Sequence, residues 1–196
     1  MSKIIYLKES KTKGHLVVGV INGGEREAYT VSAAVYSTIC SPLRGTELDE
    51  DTLAALKEAS NSYKALKKAL SLLSYADNSE RNLRLKLMRA GFSRDISEET
   101  VREVVRLGYI NESAQLERLI LSEANGNLQG PMKIIPKLVA KGYSVSSVKR
   151  VIEALENAGE IDFDENKNRL LESKISDEDD TEKKYKLLRK YGYKTY

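Results

Sequence analysis

The stretch Leu83-Arg84-Leu85-Lys86-Leu87-Met88-Arg89-Ala90-Gly91-Phe92 returns 51 residues later as Ile134-Ile135-Pro136-Lys137-Leu138-Val139-Ala140-Lys141-Gly142-Tyr143. The same interval carries Gly108-Tyr109-Ile110 onto Gly159-Glu160-Ile161, Leu70 onto Leu121, Ser93 onto Ser144, Val101 onto Ile152 and Val104 onto Leu155. A fixed period of this length marks a repeated supersecondary unit whose neighbours stack to bury a core. Leu83 and Leu87 are one helical turn apart, as are Val101 and Val104, so each segment has an inward stripe. Each glycine stands just past such a run, where a left-handed residue closes a helix at least steric cost. The unit is a helix triplet: one helix before residue 77, a second over about Ser79 to Ala90, and a third from the Ser93–Ser97 region to Leu107.

Working outward, a third copy begins after Asp164. Leu170-Leu171 is placed to start its first helix, and Tyr185-Lys186-Leu187-Leu188-Arg189-Lys190-Tyr191-Gly192-Tyr193 repeats the second, 50 residues after Gly142. The acidic run Ser176-Asp177-Glu178-Asp179-Asp180-Thr181 reads as a solvated loop feeding a helix N-terminus, where negative charge is favoured. Toward the other end, residues 4–7 and 15–21 read as strands of a small antiparallel hairpin, the second running into the turn signal Asn22-Gly23-Gly24. After Arg26–Tyr29 the period changes. Ser32 is placed to cap a short helix through Cys40 that the Pro42 region closes, and Asp49 to cap the next. The expected fold is mainly α: tandem three-helix repeats in an elongated array with a small N-terminal β-hairpin element. Its expected parts are an extension over 1–61, triplets over 62–111 and 112–163, and a partial triplet over 164–196.

Charge is distributed unevenly. The 32 Lys plus Arg and 29 Asp plus Glu leave a net +3, which announces no nucleic acid by itself. Only the 62–111 segment, with 10 basic and 6 acidic residues, is clearly positive. Cys40 is the single cysteine, so neither an intramolecular disulfide nor a cysteine metal site can form, in keeping with a reducing compartment. No run approaches the ~18 apolar residues of a membrane span, and a cytoplasmic chain without signal peptide or anchor is expected. His15 is the only histidine and falls in a strand; no phosphate-binding glycine loop or metal spacing occurs. No enzyme activity and no cofactor are expected. Asp49-Glu50-Asp51 reads as a helix cap and first turn rather than a cation site.

The order and period of these segments resemble the RecX family. In that family tandem three-helix repeats have a basic second helix ending in Lys/Arg-Gly-Phe/Tyr/Ile and a third ending in Leu-Gly-Tyr-Ile/Leu-Asp. This chain has Leu83 to Phe92, then Leu107-Gly108-Tyr109-Ile110-Asn111. In the next repeat the family's Gly-Pro-x-x-Ile-x-x-x-Leu-x-x-Lys-Gly pattern stands as Gly130-Pro131-Met132-Lys133-Ile134-Ile135-Pro136-Lys137-Leu138-Val139-Ala140-Lys141-Gly142. Pro131 suits a first helical turn, whereas Pro136 is expected to shorten or kink the helix. The resemblance spans roughly residues 62–194.

What the resemblance implies is a modulator of the RecA recombinase that lies in the groove of the RecA filament on single-stranded DNA and impedes strand exchange, ATP turnover or co-protease activity. A monomer without membrane contact is expected, with single- or double-stranded DNA as a further direct partner. Its candidate contacts are the cations of the second helices, Arg81, Arg84, Lys86 and Arg89 in the first, Lys133, Lys137 and Lys141 in the second, and Lys186, Arg189 and Lys190 in the third. Arg94, Lys149 and Arg150 are candidates to extend that surface. Such cations suit an acidic protein surface or DNA phosphate, but a charge-rich helix face is as often merely solvated. Phe92, Tyr109, Tyr143 and Tyr193 follow glycine and read as inter-helix packing rather than base-stacking platforms. Two rivals remain: a helical nucleic-acid-binding protein independent of RecA, and an interaction scaffold for another partner.

Overall fold

The computed structural model describes residues 2–39, 43–175 and 181–195. Cys40, Pro42 and the acidic run from Ser176 to Asp180 lie outside the described residues. The chain divides into two compact units, one formed by residues 1–74 with 84–104 and the other by residues 75–83 with 105–196.

The first unit opens with a four-stranded antiparallel sheet in the order β3-β2-β1-β4, where β1 is Ser2–Glu9, β2 His15–Asn22, β3 Glu25–Ser32 and β4 Glu47–Leu48. The hairpin expected from sequence is thus the middle of a larger sheet. The turn at Gly23-Gly24, both at positive φ, leads into β3, which pairs with β2 from Asn22↔Glu25 to His15↔Ser32. Glu25, Arg26 and Ala28 are exposed while Tyr29 and Val31 are buried, so only the last residues of β3 show the alternation that marks a strand. Ser32 caps α1 (Ala33–Ile39) by accepting from the Val35 amide at 3.1 Å, and Asp49 caps α2 (Glu50–Tyr75) by accepting from Thr52 at 2.7 Å. Leu53 and Leu56 of α2 complete the core formed by Ile4, Val18, Val20, Tyr29, Val31, Tyr36 and Leu48. At 26 residues α2 is longer than the first helix of the expected triplet, because one helix serves both the sheet and the repeat. The second and third helices of that triplet are α3 (Glu80–Arg89) and α4 (Arg94–Arg106), with Leu83, Leu87, Val101 and Val104 all buried.

In the second unit α5 (Glu112–Leu121) passes into a π-helical turn over Ser122–Gly126, followed by α6 (Pro131–Ala140) and α7 (Val145–Asn157). Leu116, Ile120, Ala124, Ile134, Leu138, Tyr143, Val148, Val151, Ile152, Leu155 and Ile161 form one core. Pro136 stands inside α6, yet α6 has the same ten residues as α3, so the proline does not shorten it. Beyond it α8 (Phe163–Lys174) and α9 (Thr181–Tyr191) close a smaller core of Leu170, Leu188 and Tyr193. α8 starts seven residues before Leu170 because Asp162 caps it, accepting from the Asp164 and Glu165 amides at 2.9 Å. Among the described residues no helix is long and apolar enough to cross a membrane.

Candidate functional site

The second helices meet end to end. Ser79 and Gly130, 51 residues apart, occupy the same place at the starts of α3 and α6, as Gly142 and Gly192 do at the ends of α6 and α9. At the first joint the Ser79 hydroxyl donates to the Lys141 carbonyl at 2.9 Å while accepting from the Asn82 amide at 3.2 Å. At the second, the Gly130 amide donates to the Tyr191 carbonyl at 2.8 Å and the Met132 amide to the Gly192 carbonyl at 3.1 Å. Each joint sets the unpaired amides or capping hydroxyl of one helix start against the unpaired carbonyls of another helix end. Opposite poles of two helix dipoles face one another.

Contact this close depends on glycine. A Cβ on Gly142 would lie 2.4 Å from the Ser79 Oγ, and one on Gly192 would lie 2.5 Å from the Lys133 Cβ and 2.6 Å from its backbone nitrogen. Both glycines also have positive φ, +98° and +85°. Gly91, the counterpart at the end of α3, has φ +93° but open space where a Cβ would go.

The joints gather part of the cation set. At the second, Lys133 Nζ donates to the Lys190 carbonyl at 3.2 Å and lies 5.4 Å from the Tyr191 ring centroid. Lys133, Arg189 and Lys190 border a shallow depression with Met132 and Tyr193, and Arg189 continues into a second one with Lys194. Among the described residues no carboxylate lines either depression, while Asp164 borders an adjoining one with Met132 and Lys194. Met132 is 59% exposed, so an apolar surface stands among the cations. The Tyr193 phenol is buried beneath, donates to the Leu128 carbonyl at 3.1 Å, and is pushed up to about 12 by that burial. At the first joint Arg81 and Lys141 flank Ser79 and Gly142, and both are exposed. The start of α3 is held from α5, whose Glu112 carboxylate accepts from the Glu80 amide at 2.8 Å. Burial raises the Glu112 pKa above the ordinary carboxylate value, against the lowering effect of that bond.

Several other candidates are engaged elsewhere. Lys137 turns to Glu123, a carboxylate only 8% exposed, at 2.6 Å. Arg94 and Arg84 converge on Glu98 at 2.9 and 3.8 Å, and the hydrogen bond from Arg94 holds the Glu98 carboxyl below the usual range. Lys186 pairs with Glu182 one turn away at 2.7 Å. Arg150 borders a separate cleft with Ser113, Glu117 and Glu160, while Lys149 is exposed on the same helix. Arg89 is exposed in the last turn of α3, and Lys86 is half-buried. Of the residues that follow glycine, Tyr143 and Tyr193 are buried and Phe92 half-buried, but Tyr109 is 55% exposed. Met132 and Lys194 had no place in the sequence-based set, since neither extends a basic stripe that periodicity would reveal.

Sequence and fold both have relatives among known proteins. The model of the RecX first three-helix domain matches residues 65–103. A regulatory protein RecX of Clostridioides difficile is 28% identical over 119 residues, covering 61% of this chain and 56% of that protein. One from Listeria monocytogenes is 27% identical over 120 residues, covering 61% of this chain and 45% of that one. A crystal structure of regulatory protein RecX superposes over 99% of this chain and 95% of its own, with TM-score 0.73 and 21% identity. This chain is similar to RecX in sequence over part of its length and shares the RecX fold. A RecX from Lactobacillus salivarius shares the fold over 70% of this chain and 91% of its own, with TM-score 0.57 and 19% identity. The matched stretches span about half the length of the two curated RecX relatives. The family model falls on α2 to α4, so the matched residues include Ser79.

Proposed function

We propose that this chain regulates RecA by lying in the groove of the RecA filament on single-stranded DNA, so that strand exchange, ATP turnover and co-protease activity are impeded. The observation that carries this is the cationic depression at the second joint. Lys133, Arg189, Lys190 and Lys194 stand together around an exposed methionine and outnumber Asp164, the carboxylate that borders the same methionine among the described residues. Cations placed so are left for an external anion, whether an acidic protein surface or a phosphate. Met132 adds an adaptable apolar contact, which suits a protein surface better than a sugar-phosphate backbone. Head-to-tail second helices repeat the presentation at the interval of one repeat, and several linked weak contacts gain effective concentration against a target that is itself periodic.

The test is ATP hydrolysis by RecA on single-stranded DNA, titrated with this chain, beside binding to bare single- and double-stranded DNA. Slowed turnover at concentrations that leave bare DNA unbound is the expected result. Tight, strongly salt-dependent binding to bare DNA with RecA turnover untouched would favour an independent nucleic-acid-binding protein instead.

A further inference from the structure

Between α5 and α6 the chain departs from the helical repeat. One period of 51 residues earlier, residues 71–75 run as ordinary α-helix within α2, and Asp77 follows without positive φ. The counterpart Ser122–Gly126 is a π-helical turn, and Leu128 has φ +50°, the one non-glycine residue at positive φ among the described residues. A leucine is strained there by its Cβ. The next residue adds a second unfavourable feature, because the Gln129 Oε1 is buried with no hydrogen-bond partner among the described residues. Such strain persists only where the surroundings over-determine it, and it gathers at sites that do more than stabilise a fold.

Glu123 supplies the over-determination. Its backbone carbonyl accepts from the Gln129 amide at 2.9 Å, and its carboxylate, 8% exposed, accepts from the Asn127 side-chain amide at 3.1 Å and from Lys137 at 2.6 Å. What the strained residue delivers is its carbonyl, which accepts from the Tyr193 hydroxyl at 3.1 Å. Tyr193 is itself buried and borders both cationic depressions, with Lys133, Arg189, Lys190 and Lys194 around it. Two residues beyond Leu128, the Gly130 amide donates to the Tyr191 carbonyl, and a Cβ on Gly130 would lie 2.4 Å from the Gly192 oxygen. The two backbones are in contact, so a displaced Leu128 carbonyl moves the end of α9 against the start of α6.

We infer, on the reading of that surface as the RecA contact, that Leu128 is a positioning residue for it: strapped to Glu123 at positive φ, Leu128 fixes Tyr193 and so sets Arg189, Lys190 and Lys194 against Lys133. A role in packing alone needs only an apolar side chain at 128 against Leu170, Leu188 and Tyr193. Positioning needs the backbone conformation, and the side chain is secondary to it.

Leu128→Asn and Leu128→Val separate the two roles. Asparagine adopts positive φ readily but is a poor neighbour for an apolar core, whereas valine keeps the apolar contact and is disfavoured at positive φ. Each variant of the full chain is checked for helicity and melting, then read in two assays. One is inhibition of RecA ATP turnover on single-stranded DNA; the other is binding of a hexaglutamate peptide, followed by NMR at the backbone amides of Arg189, Lys190 and Lys194. Leu128→Val should weaken both by about fivefold or more, while Leu128→Asn melts lower yet stays within about twofold of the natural chain. Tyr193→Phe, which removes the hydroxyl and keeps the ring, should behave as Leu128→Val does. The reverse order of Asn and Val, or undiminished peptide binding by folded Tyr193→Phe, would overturn the inference. A natural chain that binds the peptide at these amides and leaves RecA untouched sinks the RecA reading, and the peptide assay then decides the role of Leu128 by itself. Absence of peptide binding at these amides removes the surface, and the positioning role with it. Should Leu128→Val not fold, Tyr193→Phe decides.

Discussion

The Ser79 hydroxyl bridges two backbones 62 residues apart, donating to the Lys141 carbonyl at 2.9 Å while it accepts from the Asn82 amide at 3.2 Å. One side chain therefore caps the start of α3 and satisfies the end of α6, and the hydrogen of Gly142 is all the room that arrangement leaves.

Gly142→Ala and Gly91→Ala should accordingly differ. Both place an L-residue at positive φ, a cost of about 1 kcal/mol or more. Gly142→Ala must also push Ser79 off Lys141, adding about 1 kcal/mol for the displaced hydrogen bond. In a Ser79→Ala background that extra penalty should shrink, because the clashing oxygen is gone. Urea denaturation of the four variants checks this, and equal penalties at the two glycines in both backgrounds would mean the joint contributes nothing.

Lys133 and Lys137 share α6 but should respond oppositely to substitution. Lys137→Met removes the cation beside buried Glu123 and should cost about 1 to 2 kcal/mol, moderated by the partial exposure of Lys137. Lys133→Met should change stability by less than about 0.5 kcal/mol. The triple reversal K133E/R189E/K190E should keep its helicity and lose most inhibition of RecA turnover. Full inhibition by that folded variant would place the contact surface elsewhere.

Tyr143 is almost wholly buried, and its hydroxyl donates to Gln115 Oε1 at 2.8 Å. Burial first, then the nearby Glu112 and Asp77 carboxylates, push its pKa up to about 12 from the ordinary 10.0. An acid whose folded pKa is raised contributes stability that is complete below its unfolded pKa and is lost as pH climbs toward the folded value. Stability should therefore fall between about pH 10 and 12 from this residue, and Tyr143→Phe should abolish that portion of the fall. The same variant leaves the Gln115 carbonyl buried without its donor, at a cost of about 1 to 3 kcal/mol at neutral pH. Thermal melts across the alkaline range measure both.

Truncation after Phe163 should loosen the start of α6. It deprives the Gly130 and Met132 amides of the Tyr191 and Gly192 carbonyls and uncovers Leu128, so the first turn of α6 should fray. Amide hydrogen exchange at Met132 should become much faster in the truncated chain, while exchange at Val20, in the sheet of the other unit, stays slow. Unchanged protection at Met132 would show that α6 holds its first turn without α9.

By itself the sequence determined the repeat, its period, the helix-closing glycines, the caps at Ser32 and Asp49, and the resemblance to RecX, because each rests on spacing or on the chemistry of a single residue with its near neighbours. β3 escaped it: the strand is made by pairing along all of β2, and Glu25, Arg26 and Ala28 bear the polar and small side chains of an exposed face. The π-helical turn escaped it too, since the Ser122 carbonyl receives the Asn127 amide and Asn125 binds both the Glu160 carbonyl and Asn166, partners up to 41 residues away. The candidate cations divide in the same way. Periodicity placed Lys133 and Lys137 on one stripe of α6, but only the tertiary structure, by burying Glu123 beside one and setting the carbonyl of Lys190 beside the other, assigned the first to a cationic surface and the second to the support of the fold. A charge that helical spacing locates on a face is left for a partner or consumed internally according to what other segments bring to it, and that juxtaposition is not a local property of the chain.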